Sequence, residues 1–100
     1  MSADDDLGFA PPPFNAEQGL AQMKRALRDA KLAERGTGFE LRGKRVAELV
    51  ATGPAIEARL ARRLALTPEW DCRTLKNTAE QRQWLDDLKK RLARWDSGED

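Results

Sequence analysis

The segment that most constrains the fold of this chain is the run from Asn77 to Ser97, which contains neither glycine nor proline. Asn77 precedes Glu80 by three residues, as in a capping box, and the same spacing separates Thr78 from Gln81. On a helical wheel of about 100° per residue, one sector holds the large apolar residues Trp84, Leu85, Leu88, Leu92 and Trp95. The segment therefore predicts a long amphipathic helix that ends before a polar tail over residues 97–100.

A second helix is predicted near the start of the chain, over about residues 16–35. Asn15 and Gln18 have capping-box spacing, and Gly36 is suited to the left-handed position that follows a helix. The apolar residues between them recur at helical spacing: Leu20, Met23, Leu27 and Ala30.

The segment after Gly36 alternates polar and apolar residues, with Phe39 and Leu41 separated by Glu40. Gly43 can adopt the positive φ of a tight turn, so a β-hairpin is predicted that pairs residues 38–42 with 45–50. Residues 44–51 also fit a short helix ending at Gly53, because their large apolar residues are spaced i, i+3, i+4.

A further helix is predicted over about residues 54–65, because Pro54 suits a first helical turn and Ile56, Leu60 and Leu64 are four residues apart. On this helix Arg59, Arg62 and Arg63 would form a basic face beside the apolar stripe. Residues 66–76 would then be a long connection to the last helix, with Trp70 facing either the core or a partner.

The segment RVAELVATGPAIEARLAR, residues 45–62, resembles a helix-turn-helix motif of DNA-binding proteins. The resemblance covers about a fifth of the chain and would place Gly53 in the turn and Arg59 on the recognition helix. Two residues depart from the motif. Pro54 stands where the second helix should already be starting, and Glu57 stands where the motif normally buries an aliphatic residue.

With 100 residues, the chain is expected to form one compact domain over residues 15–96, preceded by an acidic, proline-rich tail over residues 1–14. The predicted fold is α+β, in the order helix, hairpin, helix, helix, and an all-α bundle is the alternative. An isolated hairpin is marginally stable, so it would either pack on the helices or pair with a second copy in a homodimer.

The composition excludes several kinds of site. The chain has no histidine and one cysteine, so it cannot form an internal disulfide or a cysteine-rich zinc site, and no catalytic residues, metal site or cofactor are predicted. Cys72 is interpreted as a semi-buried structural residue, and Asp86 and Asp87 as surface partners of Lys90 and Arg91. Without a signal peptide or an apolar run of membrane-spanning length, a reducing cytoplasm is the expected location.

The predicted function is that of a small non-catalytic interaction or accessory protein, with an unknown protein or a second copy as its partner. The candidate surface consists of Arg59, Arg62 and Arg63 together with Arg91, Arg94 and Trp95, because arginine and tryptophan are enriched at interfaces. Trp84 is assigned to the core instead. The alternative function is nucleic-acid binding through the basic region Arg42–Arg63, although the net charge of the whole chain is only +1.

Overall fold

The computed structural model describes residues 14–97, and the tail predictions for residues 1–13 and 98–100 lie outside this range. Two helices flank five strands in the described residues, in the order α1 (Ala16–Asp29), β1 (Ala33–Arg35), β2 (Gly38–Leu41), β3 (Lys44–Thr52), β4 (Ala55–Ala61), β5 (Trp70–Leu75) and α2 (Thr78–Asp96). The strands form one sheet in sequence order, and every neighbouring pair is antiparallel. Both the predicted arrangement of three helices around a single hairpin and the alternative helical bundle are therefore wrong.

The helix predicted over residues 54–65 is strand β4. Ile56, Ala58 and Leu60 face the core and alternate with the exposed Glu57 and Arg59, which is the period of a strand. Because alanine fits either period, the spacing of Ile56 and Leu60 also matched a helix. Pairing with β3 on one side and β5 on the other outweighs the helix propensity of this alanine- and arginine-rich segment.

Part of the predicted connection between helices is strand β5. Its inward-facing residues include Asp71 and Arg73, which are polar, so the usual alternation of apolar and polar residues is absent. The Asp71 and Arg73 side chains form ion pairs with residues of α2. Without knowledge of those partners, the segment has the composition of a loop.

The first helix ends earlier than predicted, at Asp29 rather than near residue 35. Lys31 adopts a left-handed φ of 71°, and the N–H of Leu32 donates to the carbonyl of Leu27 at 3.2 Å, as in a helix-terminating Schellman motif. Gly36, the predicted helix end, has a φ of 62° and instead lies in the turn from β1 to β2.

The hairpin prediction is confirmed for β2 and β3. Arg42 and Gly43 both have positive φ values, 54° and 78°, as the two-residue turn favoured in hairpins requires. Residues 44–52 are a strand, so the helical alternative and the resemblance to a helix-turn-helix are both wrong for this segment.

The two capping predictions are also confirmed. The Asn15 side chain accepts a hydrogen bond from the N–H of Gln18 at 3.0 Å, and that of Asn77 accepts from the N–H of Glu80 at 2.8 Å. These bonds satisfy N–H groups that a helix start leaves free, which is why both helices begin where the sequence indicates.

The two helices pack beside each other on one face of the sheet, where the Gln81 side chain of α2 donates to that of Gln22 on α1 at 3.3 Å. The core lies between the helices and this face, and its largest fully buried side chains are Trp84, Phe39, Met23, Leu27, Leu49, Ile56, Leu75, Leu88 and Val46. No described element covers the opposite face, where Val50 is 44% exposed. We refer to this uncovered surface as the open face.

Candidate interaction cleft

A cleft of about 330 Å³ lies where the C-terminal half of α2 passes over the start of β5. Among the described residues, its lining comprises six charged side chains and no apolar ones: Arg62, Asp71, Asp87, Lys90, Arg91 and Arg94. The four from α2 share one side of the helix because they are spaced i, i+3, i+4 and i+7. With four cations and two carboxylates, this basic cleft carries an excess of positive charge.

Asp71 of the basic cleft is bound by two guanidinium groups. Arg62 Nε donates to Asp71 Oδ1 at 2.7 Å, and Arg91 Nη2 donates to Asp71 Oδ2 at 2.8 Å. The Arg91 guanidinium also donates through Nη1 to the backbone carbonyl of Ala61 at 3.0 Å. Arg91 therefore connects α2 to both β4 and β5.

These contacts shift the protonation equilibria of the pair. Two hydrogen bonds hold the pKa of Asp71 below its ordinary value of 3.8, and the one from Arg62 has a larger effect than the one from Arg91. Partial burial acts in the opposite direction and raises this pKa. The hydrogen bond to Asp71 raises the pKa of Arg62 in turn. Asp71 is therefore a carboxylate at neutral pH, and the cleft has an arrangement of donors that holds a carboxylate.

Lys90 and Arg94 differ from the other two cations of the cleft. Both side chains are exposed, and neither forms an ion pair with any residue between Phe14 and Ser97. They lie on α2 next to a carboxylate that Arg62 and Arg91 already bind. Within the described chain, Lys90 and Arg94 are the cations of the cleft that are available to an additional anion.

A second depression adjoins the basic cleft and shares Arg62 with it. The loop between β4 and β5 forms this hollow, which has a volume of about 560 Å³ and is lined by Arg62, Arg63, Ala65, Thr67, Pro68 and Glu69. Leu66 lies in the same loop and is 79% exposed, which is unusual for a large apolar side chain. The surface thus combines a cationic depression with an apolar residue nearby.

The structure brings together only some of the predicted surface residues. Arg62, Arg91 and Arg94 line the basic cleft, and Arg63 lines the hollow beside it. Arg59 is on the open face, 3.6 Å from Glu48, because alternation along β4 turns it away from α2. Trp95 is only 3% exposed and packs in the core, so its side chain is not part of the exposed surface.

The basic region Arg42–Arg63 does not form one positive surface. Arg42 lies 3.7 Å from Asp96, and Arg45 and Arg59 both approach Glu48, at 2.9 and 3.6 Å. Arg45 and Arg59 share the carboxylate of Glu48, and Arg42 lies beside Asp96 at another part of the structure. The charge excess predicted from the sequence is therefore dispersed in the fold.

Two further interpretations of surface residues are corrected. Cys72 is exposed on the open face rather than semi-buried. Asp87 pairs with Arg73 at 3.7 Å, and Arg91 pairs with Asp71, rather than with each other along the helix. The sequence signal that was missed is the spacing of Asp71 and Arg73, which places two opposite charges on the same face of a strand.

In residues 14–97 no cluster of three cysteine, aspartate or glutamate side chains is arranged to hold a metal ion. Among the same residues, neither helix has the combination of length and apolar character needed to cross a membrane. Comparison of the chain with protein-family models, with curated proteins and with solved structures finds no match.

Proposed function

We propose that this chain is a non-catalytic interaction protein of the cytoplasm, which binds an acidic segment of a partner protein in the basic cleft. The observation that supports this most directly is the position of Lys90 and Arg94, exposed beside a carboxylate that two arginines already hold. A partner's carboxylate placed there would find cationic donors similar to those that bind Asp71. The cytoplasmic setting is favoured by the single cysteine, which cannot form an internal disulfide.

An acidic protein segment fits this surface better than a nucleic acid does. Among the described residues, the cleft offers only Lys90 and Arg94 as cations without an ion pair, whereas a phosphate backbone is charged at every nucleotide. Outside the cleft, Arg42, Arg45 and Arg59 lie beside carboxylates and do not extend it into a basic track. Arg63 is exposed and forms no ion pair among the described residues, but it extends the positive surface only into the adjoining hollow. A short segment with a few carboxylates needs only the limited excess of charge that the cleft supplies.

The adjoining loop favours a protein partner as well. Leu66 is exposed next to the hollow formed by Arg63 and Pro68, so a segment lying across both depressions would bury apolar surface while its acidic residues reach Lys90 and Arg94. Apolar burial supplies affinity, and the charged rim favours acidic partners over basic ones. A partner segment that combines acidic and leucine-like residues is therefore expected.

The test uses two fluorescent probes, a peptide of alternating aspartate and leucine and a single-stranded oligonucleotide of equal charge, each followed by anisotropy. We expect the peptide to bind the full chain, and the double variant Lys90→Glu with Arg94→Glu to weaken binding by about tenfold or more, equivalent to about 1.4 kcal/mol. The matched control is Arg82→Glu with Lys89→Glu, two exposed residues of α2 that do not line the cleft. This control changes the net charge by the same amount and should leave binding nearly unchanged.

Three results would contradict the proposal. If the control reduces binding as much as the cleft variant, general charge rather than the cleft is responsible. If the oligonucleotide binds more tightly than the peptide and the cleft variant abolishes this, the cleft serves a nucleic acid. If folded protein binds neither probe at low salt, the cleft is not a site for acidic ligands.

A further inference from the structure

Within residues 14–97, strand β5 is the last strand of the sheet and pairs with β4 alone. Its six residues, Trp70–Leu75, follow a regular register without a bulge and include no proline or lysine. Natural proteins usually protect an edge strand by one of these devices or by making it short, as in β1 at the opposite edge, which has three residues. β5 therefore lacks these devices, and its inward-facing Asp71 and Arg73 are charges that only a strand with matching charges would accept.

The hydrogen bonding at the start of β5 shows which of its backbone groups face outwards. The N–H of Arg62 donates to the carbonyl of Glu69 at 2.9 Å, one step beyond the pairing of Ala61 with Trp70. Because hydrogen-bonded and non-hydrogen-bonded pairs alternate in an antiparallel ladder, the N–H and C=O groups of Trp70, Cys72 and Thr74 point away from β4. These groups are available to another strand.

The side chains of β5 are self-complementary about Cys72. Asp71 and Arg73 flank it on the covered face of the sheet, with opposite charges. If two copies of β5 run antiparallel with the two Cys72 residues opposite each other, Asp71 of each copy faces Arg73 of the other. The same register pairs outward-facing Trp70 with outward-facing Thr74, so every available backbone group in this part of the strand finds a partner.

We infer that β5 is a homodimerisation edge, at which two copies of this chain pair antiparallel about a twofold axis through Cys72. The two five-stranded sheets then form one continuous sheet, with the helices of both copies on the same side. On either side of the cysteine pair, Asp71 of one copy faces Arg73 of the other. A register shifted by two residues would lose this match of opposite charges. The inference stands on the geometry of β5 and does not depend on binding in the basic cleft.

The first test compares two substitutions at Thr74 by measuring mass in solution over a wide range of protein concentrations. Both substitutions remove the Thr74 hydroxyl, which donates to Glu57 at 3.1 Å. Thr74→Pro also removes the outward N–H of this residue, whereas Thr74→Val keeps it. We expect the unmodified chain and Thr74→Val to reach twice the 11.2 kDa of one chain. Thr74→Pro should raise the dimer dissociation constant by about tenfold or more, because proline cannot donate across the new interface.

The second test uses Cys72 as a reporter of register. Hydrogen-bonded partners have Cα atoms about 5.5 Å apart, which is within the range of roughly 4.4–6.8 Å that a disulfide spans. Diamide should therefore oxidise the two thiols to a disulfide between the copies, taking up two electrons and two protons to become its hydrazine. Covalent dimer should form faster for Thr74→Val than for Thr74→Pro at equal protein concentration.

A charge exchange provides the third test. Asp71→Arg and Arg73→Asp should each weaken self-association, because each places like charges opposite one another, whereas an equimolar mixture of the two variants should form a heterodimer. If Asp71→Arg does not fold, as judged by circular dichroism, the comparison at Thr74 decides. A chain that is monomeric at all concentrations, or a dimer that Thr74→Pro leaves intact, would overturn the inference.

Discussion

Arg91 of α2 is hydrogen-bonded to Asp71 of β5, with 2.8 Å between Nη2 and Oδ2, and its second terminal nitrogen reaches the carbonyl of Ala61 in β4. One side chain thus attaches the C-terminal half of the helix to two strands. Both partners are only partly exposed, so solvent weakens the interaction less than it weakens a pair on the open surface.

We predict that Arg91→Ala lowers the free energy of unfolding by about 1–2 kcal/mol, because it removes charge-assisted hydrogen bonds and leaves Asp71 with one fewer donor. Arg94→Ala is the control, since Arg94 is on the same side of α2 and forms no ion pair with any described residue. Urea unfolding followed by circular dichroism measures both. An equal effect of the two variants would show that Arg91 does not attach α2 to the sheet.

The lowered pKa of Asp71 predicts how stability depends on pH. Its carboxylate contributes stability above the ordinary pKa of 3.8, and this contribution is lost as the pH falls through the lower value in the folded state. The difference in unfolding free energy between the unmodified chain and Asp71→Asn should therefore be constant near neutral pH and shrink below pH 3.8. A difference that grows on acidification would contradict the assigned direction of the shift.

Trp95 should behave as a core residue. Because it is 3% exposed, Trp95→Ala is expected to lower the unfolding free energy by about 3–5 kcal/mol through lost packing and a new cavity. Leu66→Ala in the exposed loop should change it by less than about 0.5 kcal/mol. Thermal unfolding of the two variants separates these outcomes, and a stable Trp95→Ala protein would mean that the C-terminal turn of α2 does not pack as described.

The turn between β2 and β3 offers a stabilising substitution. Arg42 has a φ of 54°, a conformation that costs most residues about 1–2 kcal/mol and that asparagine tolerates better. Arg42→Asn should raise the unfolding free energy by roughly 0.5 kcal/mol, since only an exposed contact of 3.7 Å with Asp96 is lost. Arg42→Val is the control in the opposite direction and should lower the unfolding free energy. A higher melting temperature for Arg42→Val than for Arg42→Asn would contradict the turn geometry.

Local signals in the sequence were sufficient for α2, for the start of α1 and for the hairpin of β2 and β3. Each of these elements is specified by residues within a few positions of one another, such as Asn77 with Glu80 or Arg42 with Gly43. Strand β4 was missed because its alternate alanines fit a helix as well as a strand. Its conformation is determined by pairing with β3 and β5, which lie outside any local window.

The same reason limited the prediction of the cleft. Arg62, Arg91 and Arg94 were selected as separate basic groups on two predicted helices, whereas the fold places them in one cleft, where Arg62 and Arg91 bind the same carboxylate. Asp71 was missed because its partners are 9 and 20 residues away in the chain. Trp95 was assigned to a surface because neighbouring arginines resembled an interface, yet its place in the apolar sector of α2 buries it.

The order of the strands has a consequence for how the chain folds. Each strand pairs with the next in sequence, so the sheet can grow through successive hairpins whose loop-closure cost is small. The helices that cover the core come from opposite ends of the described chain, and the contact between Gln22 and Gln81 spans 59 residues. We expect hairpin formation to be early and the meeting of α1 with α2 to be late, so that substitutions at Gln81 mainly accelerate unfolding while those in the turn at Gly43 mainly slow folding.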